Sequence, residues 1–381
     1  MNIRKTKAYK DVRKLLAACM RYLPLNRNKI IFDNFGGQGF GDDPRYIAEK
    51  LHALDPKLSL YWVTYDLDGE FPSWIHPVKC GSVWADYHWL TAKVWVDNIK
   101  STIRPPKRKG QFYIQTWHST LGFKMNEADA PNLMKRYLDI AMKDSKQIDL
   151  MYSNNTFRFE KYKNRFWYDG EVLKCDVPRT GFLLHPSKAV RKKVYEYFHI
   201  PENKKLVLYA PTFRAEKNLE IYQFDYIRCQ KQLSEAFGGD YEMLIRLHPN
   251  DCIYKEQLNL PESVYNATGY PDMQELLMAA DVLITDYSGS MFEFGFTRKP
   301  VFLFAKDVKA YQEKDRKLYF SLEELPFSLS ETEEELWKAI AEFDSASYGE
   351  KCLQFEEKIG FEDHGQGASV IAGIILKKRK E

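Results

Sequence analysis

The stretch ADVLITDYSGSMFEFGF, residues 280–296, holds three patterns in succession. An apolar run of β-formers, Val282 to Ile284, gives way to a turn of small and polar residues, and an apolar run with helical character follows. Strand, tight turn and helix make the repeating unit of a parallel α/β sheet. Other segments of the chain start the same way. KLVLYAPTF (205–213), YEMLIRLHP (241–249) and PVFLFAKD (300–307) form one series with it. KIIFDNF (29–35), LSLYWVTY (58–65), AKVWVDN (92–98), QFYIQT (111–116) and IDLMYSN (148–154) form an earlier one. A charged helical stretch at about 187–199 separates the two.

This alternation predicts an α/β protein of two Rossmann-like, doubly wound domains joined near 183–204. The expected spans are a basic helix over 1–24, a first domain over 25–185, a second over 186–360 and a C-terminal helix over 361–381. The length of 381 residues suits two such cores better than one. Hydrophobic residues at 44% and aromatics at 15% exclude a mainly disordered chain. No internal repeat is visible, and ETEEELWKAIAEF (331–343) reads as a solvated surface helix.

The six cysteines, at 19, 80, 175, 229, 252 and 352, form no CxxC pair and no zinc-like spacing with histidine, so neither a disulfide framework nor a structural metal is expected. A reducing cytoplasm fits this usage. No run approaches the length of a spanning helix, and the N-terminus lacks a signal-peptide pattern. Charge is concentrated at the start. Nine basic residues from Arg4 to Lys29 face the single acid Asp11, and Val12, Leu15, Leu16, Cys19, Met20 and Leu23 follow helical spacing up to Pro24. Two readings stand for this basic amphipathic helix: it packs its stripe on the protein's own body, or it docks on an anionic membrane surface. Nucleic acid is not expected as a partner, since no recognition module accompanies the basic stretch.

Polar residues gather where the runs end, the position at which doubly wound sheets deliver functional groups. QTWHST ends the fourth run of the first series, and YAPTFR, RLHP and TDYSGS end runs of the second. Together they predict a cleft lined by His118, Thr212, Arg214, Arg246, His248, Asp286, Ser288 and Ser290. Each has a plainer reading. Ser290 and Glu293 match an S-x-x-E capping box, which would explain both without a ligand, although the same turn can offer amides to a phosphate. Arg214 could be a surface arginine after a turn. His–Pro recurs at 76–77 and 185–186, so only Arg246 and its strand-end position distinguish His248. The DLD at 66–68 resembles a metal-binding motif of some nucleotide-sugar transferases but lies far in sequence from the phosphate candidates. No protein-held metal and no cofactor are expected. P-loop, dinucleotide and serine-elbow motifs are absent.

With these loops placed, the chain resembles the CDP-glycerol glycerophosphotransferase family, bacterial enzymes that build teichoic acids and related phosphopolyol glycans. The matching segments are NKIIFDNFGGQGFGDDPRYIAEKL (28–51), AKVWVDN, YIQTWHST, KDSKQIDLMYSNN (143–155), YAPTFR, RLHP, TDYSGSMFEFGFTRKPVFLF (285–304) and FEDHGQGAS (361–369). The resemblance implies a GT-B-like pair of Rossmann-like domains facing a central cleft. It implies His118 as the base and His248 as a second catalytic histidine tied to donor phosphate. It places the donor's pyrophosphate at Ser288 and Ser290, with Asp286 structural or donor-directed; Thr212, Arg214, Arg246, Gly289 and Glu293 complete the expected donor side, and Trp117, Ser119, Thr120 and Lys124 form the expected acceptor side. WHST stands where the family has WHG, TDYSG where it has TDYSS, and DVPRTG (176–181) where it has a glycine-proline-arginine segment.

The implied reaction is attack by an acceptor hydroxyl on the polyol-bearing phosphorus of CDP-glycerol or another CDP-polyol, with CMP leaving. The implied partners are a lipid-linked glycan acceptor and the inner face of the cell membrane, where the enzyme would sit peripherally. The alternatives are a GT-B glycosyltransferase using a nucleotide sugar, a ribitol-phosphate transferase, and a homologue that binds without turnover.

Overall fold

The computed structural model describes residues 7–101, 103–131, 133–214, 219–248, 260–314 and 317–381. Arg4 and Lys5 of the basic stretch, Pro249 after His248, and Cys252 lie outside the described residues. The chain divides into two compact units. One comprises Met1–His118, Glu127–Gly181 and Glu362–Glu381; the other, Ser119–Asn126 and Phe182–Phe361. The short segment after His118 therefore belongs to the second unit, and the C-terminal helix to the first.

Seven strands build the first unit: β1 (Asn26–Asp33), β2 (Ser59–Thr64), β3 (Ile75–Lys79), β4 (Ala92–Asp97), β5 (Phe112–Gln115), β6 (Leu150–Ser153) and β7 (Glu171–Lys174). Six build the second: β8 (Lys205–Ala210), β9 (Tyr241–Ile245), β10 (Val264–Asn266), β11 (Val282–Thr285), β12 (Val301–Phe304) and β13 (Ser328–Ser330). The spatial orders are β3-β2-β1-β4-β5-β6-β7 and β10-β9-β8-β11-β12-β13. All pairings between these strands are parallel. Each order winds outward from its first strand and then restarts on that strand's other side. This is the doubly wound Rossmann arrangement that the alternation predicts, with switch points between β1 and β4 and between β8 and β11.

Both sheets are covered on their two faces, as parallel sheets must be. In the first unit Ile47 and Leu51 of the helix Asp42–Leu54, with Ile371 and Ile375 of the helix Gly367–Lys378, pack on one face. Trp89, Trp95, Tyr113 and Phe166 fill the other. In the second, Leu336, Trp337 and Ile340 of the helix Glu333–Ala341 join the core. That helix, read as solvated, buries one stripe and is closed at its start by a Thr332/Glu335 capping box. The C-terminal segment is tied to the first unit by Asp363, which accepts from Asn154 Nδ2 at 2.8 Å and from the Val177 amide at 2.9 Å. A methyl on Gly367 would lie 2.4 Å from the Val177 carbonyl carbon, so only glycine fits there.

The N-terminal helix runs over Lys7–Met20. It docks through a polar clamp: Arg13 Nε donates to Asp86 at 2.5 Å, and its NH2 donates to Asp86 at 2.6 Å and to the Ile103 carbonyl at 2.6 Å. Tyr9, Arg13, Ala17 and Met20 are its partly buried face. Most of the apolar stripe points outward, with Val12 55% and Leu15 67% exposed. The stripe is thus not spent on the protein's own body. Among the described residues no helix is long and apolar enough to cross a membrane.

Candidate active site

At the first switch point one side chain stitches two strand ends together. Asn98, just past β4, accepts from the Phe35 amide at 2.7 Å and donates to Asn34 Oδ1 at 2.7 Å and Asp42 Oδ2 at 3.1 Å. Arg179, from the DVPRTG segment, pairs with Asp42. The Asn98 carbonyl in turn holds His118, whose Nδ1 lies 2.9 Å away. A carbonyl oxygen can only accept, so Nδ1 carries the proton and Nε2 of the neutral ring carries the lone pair.

Backbone geometry aims the ring. Trp117 sits in the left-handed region at φ 59°, and its amide donates to Gln115 Oε1 at 2.9 Å. A bulky residue adopts that conformation only where its surroundings impose it. The buried Trp117 indole then stacks on His118 with centroids 4.4 Å apart, and Phe35 stands on the imidazole at 5.5 Å. Trp117 therefore acts as a wall for the imidazole ring in this unit.

The second switch point repeats the device with a carboxylate. Asp286, past β11, accepts from the Thr212 amide at 2.8 Å and from its own neighbour Tyr287 at 2.6 Å. Arg214 joins it: NH2 donates to Asp286 at 2.8 Å, Nε to Asp307 at 2.7 Å and NH1 to the Thr212 carbonyl at 2.6 Å. The guanidinium lies against the rings of Tyr287 and Tyr311 at 4.8 and 4.9 Å. Burial opposes its charge, but the two carboxylates more than offset this and raise it above the ordinary arginine value. Arg214 is not a surface residue: its guanidinium pairs with Asp286 and Asp307. Asp286 is correspondingly tied to both Arg214 and the Thr212 amide. Thr212 Oγ1 is buried without a hydrogen-bond partner among the described residues.

The turn after β11 departs from the capping-box reading. The helix that follows covers only Ser290–Gly295, its N-cap is Gly289, and no side chain caps it. Ser290 Oγ instead donates to Ser288 Oγ at 2.9 Å. Glu293 is buried and accepts from Thr120 Oγ1 at 3.1 Å and Gln274 Nε2 at 2.7 Å. Three residues expected on the acceptor side, Ser119, Thr120 and Lys124, thus stand in the same unit as the donor candidates. A Cβ built on Gly289 would lie 3.3 Å from Ser119 Oγ.

Arg246 donates from NH1 to the Tyr270 carbonyl at 2.6 Å. Burial lowers its pKa, with Asp272 and Tyr270 opposing. His248 is exposed, and the Phe213 ring lies 5.9 Å from its imidazole. Desolvation first, then the charges of Lys124 and Arg246, lower the His248 pKa to about 4. At neutral pH it is an uncharged imidazole beside two cations, so the positive charge here belongs to Lys124 and Arg246. The DLD pair Asp66 and Asp68 occupies an exposed turn after β2. Among the described residues no group of three His, Cys, Asp or Glu side chains is placed to hold a metal ion.

Sequence reasoning missed Asn34, Asn98, Asp307 and Tyr311. Asn98 and Asp307 each close a run already recognised as a strand, AKVWVDN and PVFLFAKD. The signal was the polar residue at the strand's carboxyl end.

Comparison with known proteins bears on the chain as a whole. A family model for CDP-Glycerol:Poly(glycerophosphate) glycerophosphotransferase matches residues 15–377. The teichoic acid poly(glycerol phosphate) polymerase of Bacillus subtilis (strain 168) is 28% identical over 389 residues, covering 98% of this chain and 51% of that protein. This chain therefore spans about half the length of that relative. The teichoic acid glycerol-phosphate transferase of Staphylococcus aureus (strain NCTC 8325 / PS 47) is 27% identical over 372 residues, 92% of this chain and 94% of that protein. A solved structure of the wall teichoic acid polymerase TagF, with a histidine replaced by asparagine and soaked with CDPG, is similar with a TM-score of 0.85 and 27% identity. It covers 97% of this chain and 93% of that one. With the family model matching over nearly the whole length, the chain belongs to the CDP-glycerol:poly(glycerophosphate) glycerophosphotransferase family.

Proposed function

We propose that this chain transfers glycerol phosphate from CDP-glycerol to a hydroxyl of a lipid-linked or glycan acceptor, in the synthesis of teichoic acid or a related cell-surface polymer. The observation that carries the reading is His118, held as the Nδ1–H tautomer by the Asn98 carbonyl in a chain of this family. The acceptor hydroxyl attacks the glycerol-bearing phosphorus and its proton passes to His118 Nε2. The new O–P bond forms as the bond from that phosphorus to the bridging oxygen breaks, and CMP leaves with the electron pair. Phosphoryl transfer asks mainly for alignment and charge neutralisation. Arg246 supplies charge on the donor side. His248, uncharged, offers a hydrogen bond, and the hydroxyls of Ser288 and Ser290 add others. The test is incubation of the purified chain with labelled CDP-glycerol, CDP-ribitol or a UDP-sugar and candidate lipid-linked acceptors. CMP release with label in the lipid fraction from CDP-glycerol is expected. UDP release from the sugar donor, with no turnover of either CDP-polyol, would replace the reading with glycosyl transfer.

The exposed stripe of the helix Lys7–Met20 supports a cytoplasmic enzyme that rests on the inner leaflet. Each basic residue near an anionic surface contributes about 1 kcal/mol, and several act together with the apolar stripe. Deleting residues 1–24 is expected to release the protein from anionic liposomes and to lower activity on membrane-embedded acceptor. Activity on a short soluble acceptor should hold. Equal loss on both acceptors would show that the helix serves the fold through Arg13 and Asp86 instead.

A further inference from the structure

We propose that Phe35 and Tyr65 form a platform for a sugar ring of the acceptor, so that the hydroxyl receiving glycerol phosphate belongs to a saccharide and not to the end of a glycerol-phosphate chain. This rests on the transfer reading above, with His118 as the base.

Both rings stand at the carboxyl edge of the first sheet, where the neighbouring strands β1 and β2 end. Phe35 holds a left-handed backbone, φ 46°, and still leaves 43% of its surface exposed. Strain in a bulky residue and an apolar ring in water both work against folding. The loop nevertheless fixes them. The Phe35 amide donates to Asn98 Oδ1 at 2.7 Å, and the Gly37 and Gln38 amides turn back onto the Asn34 carbonyl at 3.1 and 2.8 Å. Asp33 accepts from the same Gly37 amide at 2.7 Å. Tyr65, 47% exposed, is tied to this turn: its amide donates to the Gly37 carbonyl at 2.9 Å, and a methyl on Gly37 would lie 3.1 Å from its ring. Gly37 has φ 97°, so its conformation and the approach of Tyr65 both need glycine. His118 completes the row, its ring 5.5 Å from that of Phe35. One loop network of the first unit thus holds the imidazole and two exposed aromatic rings.

Chemistry selects the occupant. An aromatic face is electron-rich and attracts C–H bonds lying flat on it, as one side of a pyranose ring does. Hydroxyls at the rim of that ring need acceptors, and the exposed carboxylates Asp66 and Asp68 follow Tyr65 directly. Lys79, at the end of β3, turns its ammonium onto the Tyr65 carbonyl. A glycerol-phosphate chain has no flat face, and its phosphates would meet the two carboxylates as like charges. Rings beside acids therefore suit a neutral sugar, and the DLD turn gains a task on the acceptor side.

The test compares wild type with Tyr65→Leu, with Phe35→Gly, which keeps the left-handed turn without strain, and with Phe35→Trp. Two soluble acceptors are used: a disaccharide on a short alkyl chain, and the same molecule ending in glycerol phosphate. Readouts are kcat and KM for each acceptor, CDP-glycerol affinity by calorimetry, and the thermal midpoint. Wild type is expected to prefer the free disaccharide. Phe35→Gly should raise its KM about 10-fold, the size of a lost aromatic contact. Tyr65→Leu should raise it a few-fold with kcat unchanged, Phe35→Trp should keep most of the affinity, and neither CDP-glycerol affinity nor the midpoint should fall in any of them. Wild type that turns over the glycerol-phosphate end as well as the sugar would overturn the inference. A fall in kcat on both acceptors with KM unmoved would also overturn it, leaving Phe35 only a wall for His118. A lowered midpoint with equal loss on both acceptors would do the same in favour of a structural role. Wild type that releases no CMP from CDP-glycerol with either acceptor would defeat the transfer reading itself.

Discussion

His118→Ala should lower turnover by about 10³-fold, within the range that positioned general bases contribute, while CDP-glycerol affinity stays within a few-fold of wild type. The reasoning starts from one hydrogen bond. With Nδ1 donating to the Asn98 carbonyl, the lone pair of a neutral His118 ring lies at Nε2, the atom that would take the acceptor's proton. Its walls are rings, Trp117 and Phe35, which orient an imidazole without adding charge. His248→Ala should behave differently, weakening donor binding as well as turnover, because that ring sits beside Lys124 and Arg246. Single-turnover rates and equilibrium binding of CDP-glycerol separate the two cases. If both variants lost donor affinity to the same extent, His118 would be a binding residue and the base would have to be sought elsewhere.

The strands that could be read from sequence and those that could not differ in one physical respect. The interiors of both sheets announced themselves as continuous apolar runs, as β4, β11 and β12 show with every residue buried. The four strands that went unread, β3, β7, β10 and β13, are the four sheet edges. Edge strands are short and half-solvated, so their composition resembles that of loops. In β3, His76 and Pro77 are exposed, and a proline is tolerated because one side needs no partner; in β7, no residue is fully buried. Strand-end positions were legible for the same reason that interiors were: the apolar run stops where polar side chains begin.

Roles at those positions were less legible, since they depend on partners distant in the chain. Arg214 reads from sequence as a free cation at a strand end, whereas Asp307, 93 residues on, shares its guanidinium. Glu293 fits a capping box by spacing, yet its carboxylate is used by Thr120 and Gln274. The segment Ser119–Asn126 follows a strand of one unit and packs in the other, which local pattern does not encode.

Arg214→Ala is expected to cost about 3–5 kcal/mol of stability, the effect of stranding buried charge, out of the roughly 5–15 kcal/mol that holds a typical domain. The side chains of Arg214 and Asp286 are almost wholly buried, and Asp307 nearly so. Removing the guanidinium leaves two carboxylates facing each other in a space closed by Tyr287 and Tyr311. Arg214→Lys should rescue little, because one ammonium cannot span both acids and the Thr212 carbonyl as the planar fork does. Combining Arg214→Met with Asp286→Asn and Asp307→Asn should recover part of the loss, since the neutral triplet no longer carries stranded charge. Chemical denaturation of the chain without donor reads these differences directly. Should Arg214→Ala unfold at the wild-type midpoint and only raise the KM for CDP-glycerol, the guanidinium would be a donor ligand, and the ends of β8 and β11 would be held by the bonds of Asp286 to the Thr212 amide and of Thr285 Oγ1 to the Ala210 carbonyl.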